Sequence, residues 1–329
     1  PELVKDTIVN FPSKNYIYHD PYGVTLIIGA WNYPLQLTLA PVIGAIAAGN
    51  TCIIKPPRAA IHTYHVIEKI ISETFNENYL AVLDEHSDNN EMLSYRYDYI
   101  FFTGGVEIGK TIARAAAEYL TPTTLELGGK SPCIVDKLSD VETAAKRIAW
   151  GKFLNGGQTC VAPDYLLLHD AVKEKFYKAF AKSVKEFYGS NPQDSADYPR
   201  IINDRHFNRL AALIKDGEII VGGQTDADTR YIAPTLIEID SLDHPLMSDE
   251  IFGPILPVLT IQSIDEAISI VKQFEKPLAF YIFSNNYANQ QKCLNTVQFG
   301  GGCVNDTVSH FINDGLPFGG VGNSGVGAY

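Results

Sequence analysis

Short apolar runs alternate along this chain with segments of helical periodicity, and that alternation limits the fold more than any other feature. Runs at 24–29, 51–55, 80–83, 99–103, 123–127 and 132–135 have strand length, and the intervening 37–48, 59–75 and 106–119 place apolar residues at helical spacing. Strand, helix and strand in succession build a mostly parallel sheet with helices on its faces. The second half keeps the rhythm, with helices expected at 172–187, 204–214 and 264–274 and strands at 165–169, 219–221 and 255–260. One further helix is marked at both ends. Ser139-Asp140-Val141-Glu142 has the form of a capping box; Val141, Ala144, Ala145, Ile148, Ala149 and Phe153 follow at helical spacing, and Gly156 closes the pattern. The expected class is α/β, and 329 residues suggest about two domains.

Composition narrows the function classes. Apolar residues make up 46% and charged residues 19%, the profile of an ordinary folded protein. The formal charge of −12 argues against nucleic acid and anionic membrane surfaces as partners. A phosphate-bearing cofactor is still allowed, because a helix N-terminus binds phosphate locally. No apolar run is long enough to span a bilayer and no signal peptide is evident. The cysteines Cys52, Cys133, Cys160, Cys293 and Cys303 are odd in number and unpaired in sequence, which fits free thiols in a reducing, cytoplasmic compartment. The histidines show no metal-ligand pattern; His62 and His65 lie one helical turn apart without a third partner.

Two stretches carry candidate chemistry. In "NGGQTCVAPDY" a thiol, Cys160, ends a small polar turn between a helix and an apolar strand. It is either a small core residue or a sulfur that the glycines leave open to close approach. In "FFTGGVEIGKT" the residues Gly104, Gly109, Lys110 and Thr111 have P-loop spacing after a strand and at a helix start, and Asp136 ends a later apolar strand as a magnesium-binding acid would. Glu107 inside that turn would repel a triphosphate, whereas a glycine turn into a helix N-terminus suits a dinucleotide pyrophosphate equally well.

The motifs "IIGAWNYPLQLTLAPVIGAIAAGNTCIIKPP", "FFTGGVEIGK", "LELGGKSPCIV", "NGGQTCVAPDY", "DEIFGP", "PLAFYIFS", "GGCVNDTVSH" and "LPFGGVGNSGVGAY" span nearly the whole chain. Together they resemble the aldehyde dehydrogenase superfamily, most closely its class 3 or fatty-aldehyde branch. The resemblance implies a Rossmann-like cofactor domain, an α/β catalytic domain and a small bridging hairpin. It divides the chain into a bridging and oligomerisation hairpin at 1–21, a dinucleotide-binding domain at 22–125 lacking its N-terminal part, a catalytic domain at 126–310 and a glycine-rich segment at 311–329. It implies that the N-terminal helical segment and C-terminal tail of relatives are absent, leaving the hairpin edge exposed.

The same resemblance implies roles. Cys160 matches the nucleophile, Asn32 the amide donor to the developing oxyanion, and Glu126 the general base that activates water against a thioester. Gly104, Gly105, Ile108, Gly109 and Leu127 match the cofactor-facing turn, Lys55 the adenosine-ribose lysine, Glu250 the nicotinamide-ribose glutamate and Phe252 its neighbour at the ring. NAD-preferring relatives continue the lysine motif as K-P-S-E, whereas this chain reads Lys55-Pro56-Pro57-Arg58. Losing the carboxylate and gaining a cation favours a 2′-phosphate, so NADP is expected to serve at least as well as NAD. The implied reaction is NAD(P)-dependent oxidation of an aldehyde to a carboxylic acid through a cysteine thiohemiacetal and thioester. The implied assembly is a homodimer, and Trp31, Tyr33, Phe153 and Phe311 are candidates to line an apolar or aromatic substrate tunnel. The rival readings are a thioester hydrolase or acyl transferase using the same Cys160–Glu126 pair, a P-loop phosphotransferase, and a catalytically silent binding relative.

Overall fold

The computed structural model of the chain describes residues 1–215 and 217–329. In chain order the elements begin β1 (Glu2–Val4), β2 (Asn15–Ile17), β3 (Val24–Ile28), α1 (Gln36–Ala47), β4 (Thr51–Lys55), α2 (Ile61–Thr74), β5 (Leu80–Val82), α3 (Asn89–Ser94), β6 (Tyr99–Thr103), α4 (Val106–Ala117) and β7 (Thr123–Glu126). They continue with β8 (Pro132–Val135), α5 (Val141–Phe153), β9 (Tyr165–His169), α6 (Lys173–Tyr188), α7 (Asp204–Leu213), β10 (Glu218–Val221), β11 (Thr225–Asp226), β12 (Tyr231–Ile232) and β13 (Thr235–Glu238). The last are β14 (Ile255–Ile261), α8 (Ile264–Val271), β15 (Ala279–Phe283), α9 (Tyr287–Thr296), β16 (Gly301–Val304) and β17 (Gly325–Val326). The α/β class read from the sequence is the class observed. Contacts divide the chain into two units, Pro1–Phe102 with Ile112–Thr123, and Thr103–Thr111 with Thr124–Tyr329.

In the first unit β6, β3, β4 and β5 lie side by side and parallel, with Leu26 in register with Ile53 on one side and Ile100 on the other. Parallel strands covered on both faces read as continuous apolar runs, which is why "VTLII" and "YIFFT" lack alternation. The core gathers Ile27, Cys52, Ile54 and Phe101 from strands with Val42, Ile67 and Ile71 from helices. At Gly29 the end of β3 touches α1: an added Cβ would stand 2.1 Å from Thr38 Oγ1. Only glycine permits that crossing, and it fixes where the Trp31-Asn32-Tyr33 turn begins. β1 and β2 form a separate antiparallel ribbon whose connecting segment leaves Ile8, Val9 and Phe11 open to solvent.

In the second unit seven strands take the order β10-β13-β14-β9-β8-β15-β16, all parallel except β10. Side chains alternate across a strand, so neighbouring residues enter different cores. Cys133, Val135, Leu166, Leu168 and Tyr281 meet α5 and α6 through Ala145, Ile148, Phe176 and Phe180. Ile134, Tyr165, Leu167, Phe280 and Ile282 meet α7, α8 and α9 through Phe207, Leu210, Ile268 and Cys293. The turns entering the adjacent parallel strands β8, β9 and β14 therefore share one edge of this sheet, and they are residues 127–131, 154–164 and 249–254.

Two local expectations need correction. The N-cap of α5 is Asp140, whose side chain accepts from Thr143 N–H at 3.3 Å, while Ser139 turns its hydroxyl back to the Asp136 carbonyl. The expected helix over 59–75 is a 3-10 turn at Arg58–Ala60 followed by α2.

Candidate active site

The Cys160 turn owes its shape to its own sequence. α5 ends at Phe153, and Asn155, Gly156 and Gly157 then adopt φ of 52°, 63° and 73° in succession. That left-handed region strains most residues and suits glycine. Gly157 also meets the turn before β14 backbone to backbone, since an added Cβ would lie 2.2 Å from the Gly253 carbonyl oxygen. Buried Gln158 braces the turn by donating to the carbonyls of Asn155 (3.0 Å) and Arg200 (3.2 Å) and accepting from Ile202 N–H (3.0 Å). The Tyr281 hydroxyl donates to the Val161 carbonyl at 2.5 Å. Cys160 itself is half-buried against the edge of the core rather than inside it. Burial pushes its thiol up to about 12, helped by the charges of Glu250 and Glu126; hydrogen bonds from the backbone N–H groups of Cys160 and Val161 oppose that rise and are outweighed.

Glu126 ends β7 with only 2% of its surface exposed. Among the described residues neither carboxylate oxygen has a hydrogen-bond partner. Burial alone raises its carboxyl to about 8. A buried polar group without a partner costs stability, so its retention calls for a functional reason. The backbone around it is fixed: its carbonyl accepts from Gly104 N–H at 3.0 Å, and Leu127 N–H donates to the Ser324 carbonyl at 3.2 Å. Tyr329 stands near both groups, its hydroxyl pushed up to about 12 by burial and then by the charges of Glu126 and Cys160.

Glu250 lies on the glycine turn after Glu126. A Cβ on Gly128 would strike its Oε2 at 2.4 Å, and its carboxylate accepts from Gly129 N–H. Burial, then the charge of Asp164, raises it to about 8, against the pull of Gly129 N–H, Lys130 and Lys152. The lysines belong to a buried cluster that no motif announced. Lys130 Nζ pairs with Asp164 Oδ2 at 2.6 Å, both side chains being nearly inaccessible. Lys152, also buried, falls to about 8, chiefly from burial, with Asp164 and Glu250 resisting the fall and Lys130 adding to it. Phe252 holds φ of 49°, a conformation a large side chain keeps only where its surroundings impose it.

The remaining candidates are placed as follows. Gly104 and Gly105 lead into α4, Gly105 having nothing within 4 Å of an added Cβ, while Ile108 is exposed and Gly109 packs so closely on Leu127 that a Cβ would lie 2.6 Å from Cδ2. Lys110 pairs with Glu107 of the same helix at 2.8 Å on an exposed face, where a P-loop lysine would turn toward phosphate. In the first unit, Lys55 ends β4, and Arg58 donates to the Ser87 carbonyl in the turn between β5 and α3. Burial first and the Arg58 charge second lower the Lys55 ammonium, and Asp88 resists. Asn32 sits half-buried in the turn between β3 and α1. Phe153 is wholly enclosed against Phe180, which removes it from the tunnel candidates. The second unit thus brings Cys160, Glu126 and Glu250 together, and the first brings Lys55 and Arg58 together.

Among the described residues no cluster of His, Cys, Asp and Glu could hold a metal ion, and no helix is long and apolar enough to cross a membrane. Residues 3–329 match the aldehyde dehydrogenase family. The chain is 50% identical to the 4,4'-diaponeurosporen-aldehyde dehydrogenase of Staphylococcus aureus, over 97% of this chain and 70% of that protein. It is 48% identical to the dimeric NADP-preferring aldehyde dehydrogenase of Rattus norvegicus, over 95% of this chain and 70% of that protein. The substrate-bound structure of Staphylococcus aureus AldH superposes with a TM-score of 0.97 at 48% identity, covering 100% of this chain and 72% of that one. With a thiol and a bare carboxylate within electrostatic reach of each other and these likenesses along its length, the chain belongs to the aldehyde dehydrogenase family, and its reaction is the NAD(P)-dependent oxidation of an aldehyde.

Proposed function

We propose that Cys160 is the nucleophile of this oxidation and Glu126 the base that completes it. The Cys160 sulfur gives up its proton to solvent and attacks the aldehyde carbon as the thiolate; the carbonyl π pair moves to oxygen, where negative charge collects. The backbone N–H of Cys160 lies at the sulfur and suits that charge. Asn32 is assigned as a second donor on its motif alone. When bound, the nicotinamide supplies the acceptor for the hydride that leaves this carbon. The acyl group then remains on Cys160 as a thioester, and Glu126 takes a proton from the water that hydrolyses it.

The residues present fit such a cofactor. Among the described residues Thr103 Oγ1 and the Glu126 carboxylate are buried without hydrogen-bond partners, and Gly105 leaves open space at the start of α4. Gly104, Gly105, Ile108, Gly109 and Leu127 would face the pyrophosphate, Glu250 and Phe252 the nicotinamide riboside, and Lys55 and Arg58 the adenosine. Arg58 and the NADP preference in the rat relative's name support NADP as a cofactor at least equal to NAD. The staphylococcal relative's name supports an apolar aldehyde, and the rat relative's name, with the exposed Ile8, Val9 and Phe11, supports a homodimer. Five free cysteines support a reducing, cytoplasmic setting.

The observation that carries this reading is the Glu126 carboxylate, buried, unpaired and charge-coupled to Cys160. Glu126→Gln should form the thioester but hydrolyse it slowly. Rapid mixing should then give a burst of nicotinamide absorbance near one equivalent per active site, followed by a stall, and Cys160→Ser should give no burst. Unchanged steady turnover in Glu126→Gln would remove Glu126 from the mechanism.

A further inference from the structure

We infer that the buried Lys130–Asp164 ion pair is a positioning device for Glu250, setting the cofactor-binding geometry of that carboxylate without touching the cofactor. The inference rests on the reading of Glu250 as a cofactor ligand. Three contacts from the pair and its neighbour hold the backbone on both sides of Glu250. Lys130 Nζ donates to the Asp249 carbonyl at 3.1 Å. Asp164 Oδ1 accepts from Ile251 N–H at 2.9 Å. Arg209 Nη2 donates to the Ile251 carbonyl at 2.6 Å. The ammonium of Lys130 has a third oxygen partner, the Leu246 carbonyl at 2.8 Å, and so is fully engaged.

The pair also spans all three turns of the sheet edge. Lys130 follows the Gly128-Gly129 turn on which the Glu250 carboxylate rests, and Asp164 closes the Cys160 turn at the start of β9. A hydrophobic pair could fill this space at no cost in stability. It could not address the carbonyl before Glu250 and the amide after it together. Positioning is therefore the property that the charges supply and packing does not.

The test replaces both charges at once, because an apolar pair avoids leaving one charge buried alone. Full-length Lys130→Met/Asp164→Leu should fold, with KM for NAD(P) raised about tenfold or more, as expected of a displaced ligand, and KM for the aldehyde within about twofold. Asp164→Asn, which keeps an acceptor for Ile251 N–H, should shift the cofactor KM in the same direction by less. A folded double variant with an unchanged cofactor KM overturns the inference. Failure of both variants to fold also overturns it, since the pair would then serve the fold. Glu250→Gln separates the two levels: if it leaves the cofactor KM unchanged, the underlying reading of Glu250 is wrong; if it raises that KM and the double variant does not, only the present inference falls.

Discussion

Glu250 and Glu126 both make it harder for Cys160 to ionise. Glu126 is buried and the other two are half-buried, burial is the largest cause of the shift in each, and a charge on either carboxylate opposes a thiolate. With the thiol near 12 and the carboxyls near 8, the cofactor-free site is largely protonated at neutral pH. The sign follows directly: thiolate grows with pH well beyond the range of an ordinary cysteine. Alkylation of Cys160 by iodoacetamide should therefore rise about tenfold per pH unit without levelling off below about pH 10. Glu250→Gln removes one opposing charge and should speed alkylation at any fixed pH above 8. A profile that levels near the ordinary thiol value would contradict this. Cys160, Glu126 and Glu250 were legible because each stands within a distinctive motif. Lys130, Asp164 and Lys152 were not, although they stand inside or beside the same motifs. A lysine and an aspartate 34 positions apart look like two surface charges until folding encloses them together.

At the scale of elements, the turn before Cys160 has no slack. Gly157→Ala meets both a left-handed φ and the Gly253 carbonyl oxygen, whereas Gly189→Ala, with φ of 80° and open space, meets only the first. The Gly189 variant should lose about 1–2 kcal/mol of stability from backbone conformation alone. The Gly157 variant should lose clearly more and should also lose activity, as urea melts and steady-state rates will read; equal losses would deny the backbone contact its importance. Strand placement was legible where strands are covered on both faces, as with "PCIV" and "YLLLH". α9 gave no such signal, because "YANQQKCLNT" buries only Cys293 and carries no apolar period. β16 was hidden by its opening glycines. The start of α5 was read correctly but its cap one residue early, since Ser139 and Asp140 both have capping side chains.

For the whole molecule, cofactor binding should appear as stabilisation. A ligand that binds only the folded state adds about 2.7 kcal/mol at a hundredfold excess over its Kd. NADP should raise the melting temperature at least as much as NAD at equal concentration, and Arg58→Ala should diminish the NADP shift selectively. A shift with NAD alone would remove Arg58 from cofactor choice. The α/β class and the family were both legible, one from rhythm and the other from motifs strung along the chain. The edge bearing the thiol was less so. Ligands of open α/β sheets usually gather at the carboxyl ends of strands, whereas the turns around Cys160 and Glu250 precede the strands they serve. The glycines of these turns leave a practical legacy. Positions 128 and 157 are already filled by neighbouring atoms, so a library aimed at new aldehydes gains nothing by randomising them. Diversity is better spent on residues that face open space, leaving the interlocked turns as a fixed chassis.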